Sequence, residues 1–116
     1  ARGPLAALAT LPGELHGLGL VMAALVFAIA EWRPLILGVD TPIEQIAALT
    51  KEVPIAAVAL SCVEPQGSRR AAQVRALRRK LPRHLPLVVG GFGAPDVAGT
   101  VRLPDLPALD RWLRKP

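Results

Sequence analysis

The 116-residue chain contains no tyrosine, and aromatic residues of any kind make up 3% of it. Its two tryptophans, Trp32 and Trp112, lie far apart. They provide no stacking platform of the kind single-stranded nucleic acid needs, and both are expected at the edge of a core. Cysteine occurs once, as Cys62. That excludes an internal disulfide, fits a reducing cytoplasm, and leaves an inert buried thiol as the expected state. No apolar run is long enough to span a bilayer. The longest, over residues 17–30, has 14 residues where a membrane helix needs about 20, and it is expected as a buried core helix. The start, Arg2 followed by Gly3 and Pro4, lacks the pattern of a secretory signal. A nucleophile–base pair, paired carboxylates and a phosphate loop are also missing, so the chain's own side chains are not expected to catalyse a reaction.

Apolar residues make up 52% and charged residues 20%, the balance of one globular domain over residues 1–116 with a sizeable core. The net charge of +5 is unevenly placed. Residues 66–84 carry seven Lys or Arg and no acidic side chain, whereas the remainder is net acidic by two. One helix therefore holds the basic character. Its expected role is a solvated outer face, with a phosphate or acidic-partner contact as the alternative.

Short apolar runs alternate with helical patterns along the chain. Residues 5–10 form a first strand, stopped by Leu11-Pro12-Gly13. Residues 18–31 are apolar on every side at helical length and read as a helix packed on a sheet. Residues 34–38 give a second strand. A second helix follows, with Thr41 as N-cap, Pro42 at the first helical position and Glu44 completing a capping box, and it ends near Lys51. Residues 55–60 are continuously apolar, as in a central parallel strand. Ser68 is expected to cap a third helix with Ala71, Val74, Leu77 and Leu81 facing inward. Strands over 85–89 and 101–103 and a last helix over 104–113, with Leu106, Leu109 and Leu113 inward, complete the chain. Uninterrupted alternation calls for a parallel sheet with helices on both faces, a doubly wound flavodoxin-like or Rossmann-like α/β fold.

Three short motifs fall at the ends of the first, third and fourth strands. Glu14-Leu15-His16-Gly17-Leu18-Gly19 comes first, Ser61-Cys62-Val63 follows after 41 residues, and Gly90-Gly91 after a further 26. In an open α/β sheet, ligands bind at the carboxyl ends of the strands near the point where strand order reverses, so the three motifs line one crevice. A neutral imidazole such as His16 is a good ligand for a borderline transition metal. The N–H on the ring nitrogen away from the metal usually donates to a carboxylate or carbonyl, and Glu14 in the same loop can accept it, directly or through the loop backbone. Asp40 and Glu64 also lie near strand ends. His84, beside Arg83, reads as a surface turn residue.

In this order and at these distances, the motifs resemble the signature of the cobalamin (vitamin B12)-binding domain across roughly residues 4–114. The resemblance implies the strand order 2-1-3-4-5. It also implies a corrin whose own base has left cobalt, with His16 as the lower axial ligand and the displaced base and its tail in a slot between sheet and helices. In that setting Gly19, Gly90 and Gly91 would allow close approach of the tail, Ser61 would offer a hydroxyl to the displaced base, and Val63 would line the slot. Glu14 and His16 complete the expected cofactor-binding set, with adenosylcobalamin or methylcobalamin as cofactor and His16 as the cobalt ligand.

The family's mutases and methyltransferases usually begin the first motif with Asp. Glu14, and the run Gly17-Leu18-Gly19-Leu20 after His16, are instead similar to MerR-type regulators that sense B12, including light-responsive repressors. In such regulators a DNA-binding domain and a helical bundle lie upstream, neither of them within this chain. DNA contact and homo-oligomer formation would then depend on those upstream parts. The alternative implied by the same resemblance is a non-catalytic corrinoid-carrier domain of a methyltransferase or mutase system.

Overall fold

The computed structural model describes residues 3–115. Ala1, Arg2 and Pro116, the outermost positions of the expected 1–116 domain, lie outside the described residues. The elements are β1 (Leu5–Ala9), α1 (Leu18–Ile29), β2 (Arg33–Gly38), α2 (Ile43–Glu52), β3 (Ile55–Ser61), α3 (Gly67–Lys80), β4 (Leu87–Gly90), β5 (Val101–Leu103) and α4 (Leu106–Leu113). The strands form one sheet in the order β2-β1-β3-β4-β5, and every neighbouring pair is parallel. Fold and order are those expected. The alternation lapses once, because β4 passes to β5 through a loop without a helix.

Strand periodicity sorts the core into two layers. Ala7, Ala9, Val58, Leu60, Leu87 and Val89 pack with Ile46 of α2 and with Val74 and Leu77 of α3. On the opposite face Ala6, Leu8, Ala59 and Val88 pack with Leu20, Ala24 and Phe27 of α1 and with Leu109 of α4. Trp32 and Trp112 are half-buried against this second layer, Trp32 edge-on to Phe27 at 5.4 Å between ring centroids.

Several local expectations are corrected. α1 is not buried all round: Leu18, Val21, Leu25 and Ile29 are each more than half exposed. It also ends at Ile29, because Glu31 takes a left-handed backbone with φ 69° that no helix continues through. Thr41 does not cap α2. Its hydroxyl donates back to the Gly38 carbonyl at 3.0 Å, and Pro42 occupies the cap position without a side-chain bond. Ser68 lies inside α3, whose cap is Gln66. α3 is also not solvated along its whole basic row, because Arg70 is completely buried. The last helix starts after Asp105, whose carboxylate accepts from the Ala108 N–H at 2.8 Å and satisfies one of the free donors of the first turn.

Candidate functional site

β1 lies between β2 and β3, so the connections leaving β1 and β3 turn to opposite sides of the sheet. The crevice at such a switch point is where ligands of open α/β sheets bind. The loop after β1 is held rigidly at this crevice. Thr10 Oγ1 donates to the Glu14 carbonyl at 2.7 Å and accepts from the Asp40 N–H at 2.8 Å. The Gly13 N–H donates to Asp40 Oδ1 at 2.8 Å. Asp40 is thus a loop staple between β1 and β2.

Glu14 is fully buried at the centre of this arrangement. Its Oε1 accepts from the backbone N–H groups of Val63 at 3.1 Å and Glu64 at 3.3 Å, and lies 3.6 Å from the Arg70 guanidinium. Its Oε2 lies 3.0 Å from His16 Nδ1. Burial on its own would push the carboxyl's pKa up. The hydrogen bonds from His16, Glu64 and Val63 and the charge of Arg70 outweigh burial and hold it below the ordinary carboxylate value.

The His16 side chain is 53% exposed, and Glu64 Oε1 also lies 3.2 Å from its Nδ1. Both carboxylates can accept a hydrogen bond from an Nδ1–H. In the Nδ1–H tautomer, Nε2 keeps its lone pair and can serve as a metal donor. Glu64, singled out from sequence only as lying near a strand end, therefore belongs to the imidazole cluster.

Beside the cluster lies a cavity of about 490 Å³ between α1, the sheet and α4. Of the residues expected at the site, Gly19, Ser61, Val63, Gly90 and Gly91 line it, while Glu14 and His16 form the cluster next to it. Val63 joins the two, lining the cavity while its N–H bonds Glu14. The space exists because Ala59, Ala23 and Gly19 are small where sheet and helices would otherwise interlock. Gly91 has a second reason to be glycine. Its φ is +102°, and a Cβ there would run into the Cys62 carbonyl. Cys62 is buried beneath, its thiol pushed up to about 11 chiefly by burial.

The structure adds Arg70 and Gln73, which the sequence reading had not singled out. Arg70 lies four and seven residues before Val74 and Leu77, on the buried stripe of α3. That spacing was the available signal.

A switch-point crevice with an oriented imidazole and an adjoining apolar slot defines a cofactor-binding domain. Residues 4–102 match the B12 binding domain family, and the chain belongs to that family. It is 37% identical over 96 residues to the HTH-type transcriptional repressor CarA of Myxococcus xanthus, covering 81% of this chain. The chain spans only 33% of that relative. Among solved structures it is similar to a cobalamin-binding protein from Desulfitobacterium hafniense, with 26% identity and TM-score 0.63 over 95% of this chain and 56% of that one. The Methanosarcina barkeri monomethylamine corrinoid protein shares the fold at TM-score 0.76 and 15% identity, over 94% of this chain and 56% of its own. Among the described residues no helix is long and apolar enough to cross a membrane.

Proposed function

We propose that this cobalamin-binding domain holds its cofactor with the corrin's own base displaced and His16 Nε2 as the lower axial ligand of cobalt. The observation that carries this reading is the pairing of an oriented, half-exposed imidazole with an apolar cavity immediately beside it. The donor set suits the group: a neutral imidazole nitrogen whose partner nitrogen is held by a carboxylate favours a borderline metal such as cobalt. The cavity falls within the usual range for small-molecule sites, about 300–1,000 Å³. In this reading Glu14 fixes the His16 tautomer and Gly19, Gly90 and Gly91 give the tail room. Val63 packs against the tail, and Ser61 offers its hydroxyl to the displaced base. When bound, cobalamin supplies an exchangeable upper ligand, adenosyl or methyl.

The domain's role in this reading is ligand sensing within a transcriptional regulator, with response to light as one form of it. Identity to the repressor CarA supports this over the corrinoid-carrier alternative, because the corrinoid-protein likeness at 15% identity speaks for the fold alone. DNA contact and ligand-dependent homo-oligomer formation would then rest on other parts of a longer protein.

Titration of the domain with hydroxocobalamin and adenosylcobalamin tests the ligation. Binding should change the visible spectrum, and His16→Ala should abolish or alter that change. A folded wild-type domain that leaves the spectrum unchanged would overturn the reading.

A further inference from the structure

We infer that Arg70 of α3 is the positioning residue that clamps the turn from Pro12 to Glu14 and so fixes the direction in which His16 presents Nε2. The geometry stands alone; its consequence for cobalt rests on the axial-ligand reading above.

Arg70 has no exposed surface and ranks first by volume among the fully buried side chains. Its Nη1 donates to the Pro12 carbonyl at 3.3 Å and to Gln73 Oε1 at 2.6 Å, and Gln73 Nε2 donates to the same Pro12 carbonyl at 3.1 Å. Its Nη2 lies 3.6 Å from Glu14 Oε1. One guanidinium thus holds the turn at its Pro12 carbonyl and at its Glu14 side chain.

Packing does not account for this residue. Position 70 shares the buried stripe of α3 with Val74 and Leu77, where an apolar side chain would avoid the cost of removing a charge from water. Arg70 bears that cost incompletely compensated, since Nε and Nη2 have no hydrogen-bond acceptor among the described residues. What it provides is the placement of Glu14. With Oε1 taken by two backbone N–H groups and faced by the guanidinium, Oε2 is the oxygen left for His16 Nδ1. Outer partners of a metal-binding histidine fix its tautomer and ring direction in this way.

The test compares wild type, Arg70→Lys and Arg70→Met in the ligand-free chain and with adenosylcobalamin. Long-range 1H–15N correlation of the His16 ring should show the Nδ1–H tautomer in wild type, less of it in Arg70→Lys, and a mixture in Arg70→Met. Cobalamin affinity should fall in the same order, by roughly 10- to 100-fold for Arg70→Met. Wild-type tautomer and affinity in both folded variants would overturn the assignment. So would losses that are equal in the two variants and track only their melting temperatures. If Arg70→Met does not fold, Arg70→Lys decides alone: an unchanged tautomer and affinity refute the role. His16→Ala in the same titration separates the two readings. Unaltered cobalamin binding and spectrum in that variant would remove the axial-ligand reading and leave the tautomer result standing.

Discussion

Gly19, in the first turn of α1, faces Ser61 at the end of β3 so closely that a Cβ on it would sit 2.9 Å from Ser61 Oγ. Helix and sheet meet there without an intervening side chain, and the cavity opens beside the contact. A branched side chain at position 19 would displace Ser61 and project its methyl groups into the slot. Gly19→Val is therefore expected to lower cobalamin affinity at least about tenfold, a loss of roughly 1.4 kcal/mol. Fold stability should change by no more than about 1–2 kcal/mol, because a helical glycine already costs about 1 kcal/mol relative to alanine. Equilibrium titration alongside thermal melting checks both halves. Wild-type affinity in this variant would show that the glycine serves only the helix–strand contact.

The parallel α/β class and the crevice were legible because each rests on a strong pattern, whereas the strand order followed only from the family resemblance. The run from Ile55 to Leu60 suits only a strand covered on both faces, and motifs at strand ends converge once the strands are parallel. What was not legible depended on tertiary partners. α1 is apolar on every side, so its periodicity does not say which face is buried. The Thr41 hydroxyl looked like a cap until the Gly38 carbonyl claimed it. Arg70 was hidden among the other basic residues of its helix, where charge outweighed its place on the inward stripe.

The one-sided burial of α1 makes a graded prediction. Phe27 has no exposed surface, whereas Ile29, two positions on, is 61% exposed. Phe27→Ala should destabilise by about 3–5 kcal/mol, and Ile29→Gln by no more than about 0.5 kcal/mol. Urea denaturation of the ligand-free domain measures the difference. Comparable losses would mean that the outer face of α1 is covered in solution.

Cys62 gives the stability a pH dependence of defined sign. Its thiol is pushed from the usual 9.0 up to about 11, mainly by burial. Above pH 9 the unfolded chain loses this proton while the folded chain keeps it, so the unfolded state binds fewer protons and stability falls as pH rises. The loss begins near pH 9 and is complete near pH 11, at most about 3 kcal/mol. Cys62→Ala should flatten that limb in denaturation curves taken across the range. At pH 8 the native thiol should resist alkylation and react only on unfolding; rapid labelling of native protein would contradict its burial.

The buried pair of Glu14 and Arg70 should show itself as an energetic coupling. Glu14→Gln leaves the Arg70 guanidinium buried without an opposing charge, a change that typically costs about 3–5 kcal/mol. Arg70→Met should cost less, because the Glu14 carboxylate still has the Val63 and Glu64 N–H groups as donors. In the double variant neither charge is left buried alone, so its loss should fall short of the sum by about 1–3 kcal/mol. Acid titration gives a second view of the same pair. Glu14's lowered pKa means that its stabilisation is present above the ordinary carboxylate value and is lost as pH falls through the folded value. Glu14→Gln should therefore be less stable than wild type at neutral pH and should approach it in acid. Strict additivity of the two substitutions, with no convergence at low pH, would show that Arg70 and Glu14 act independently despite their 3.6 Å separation.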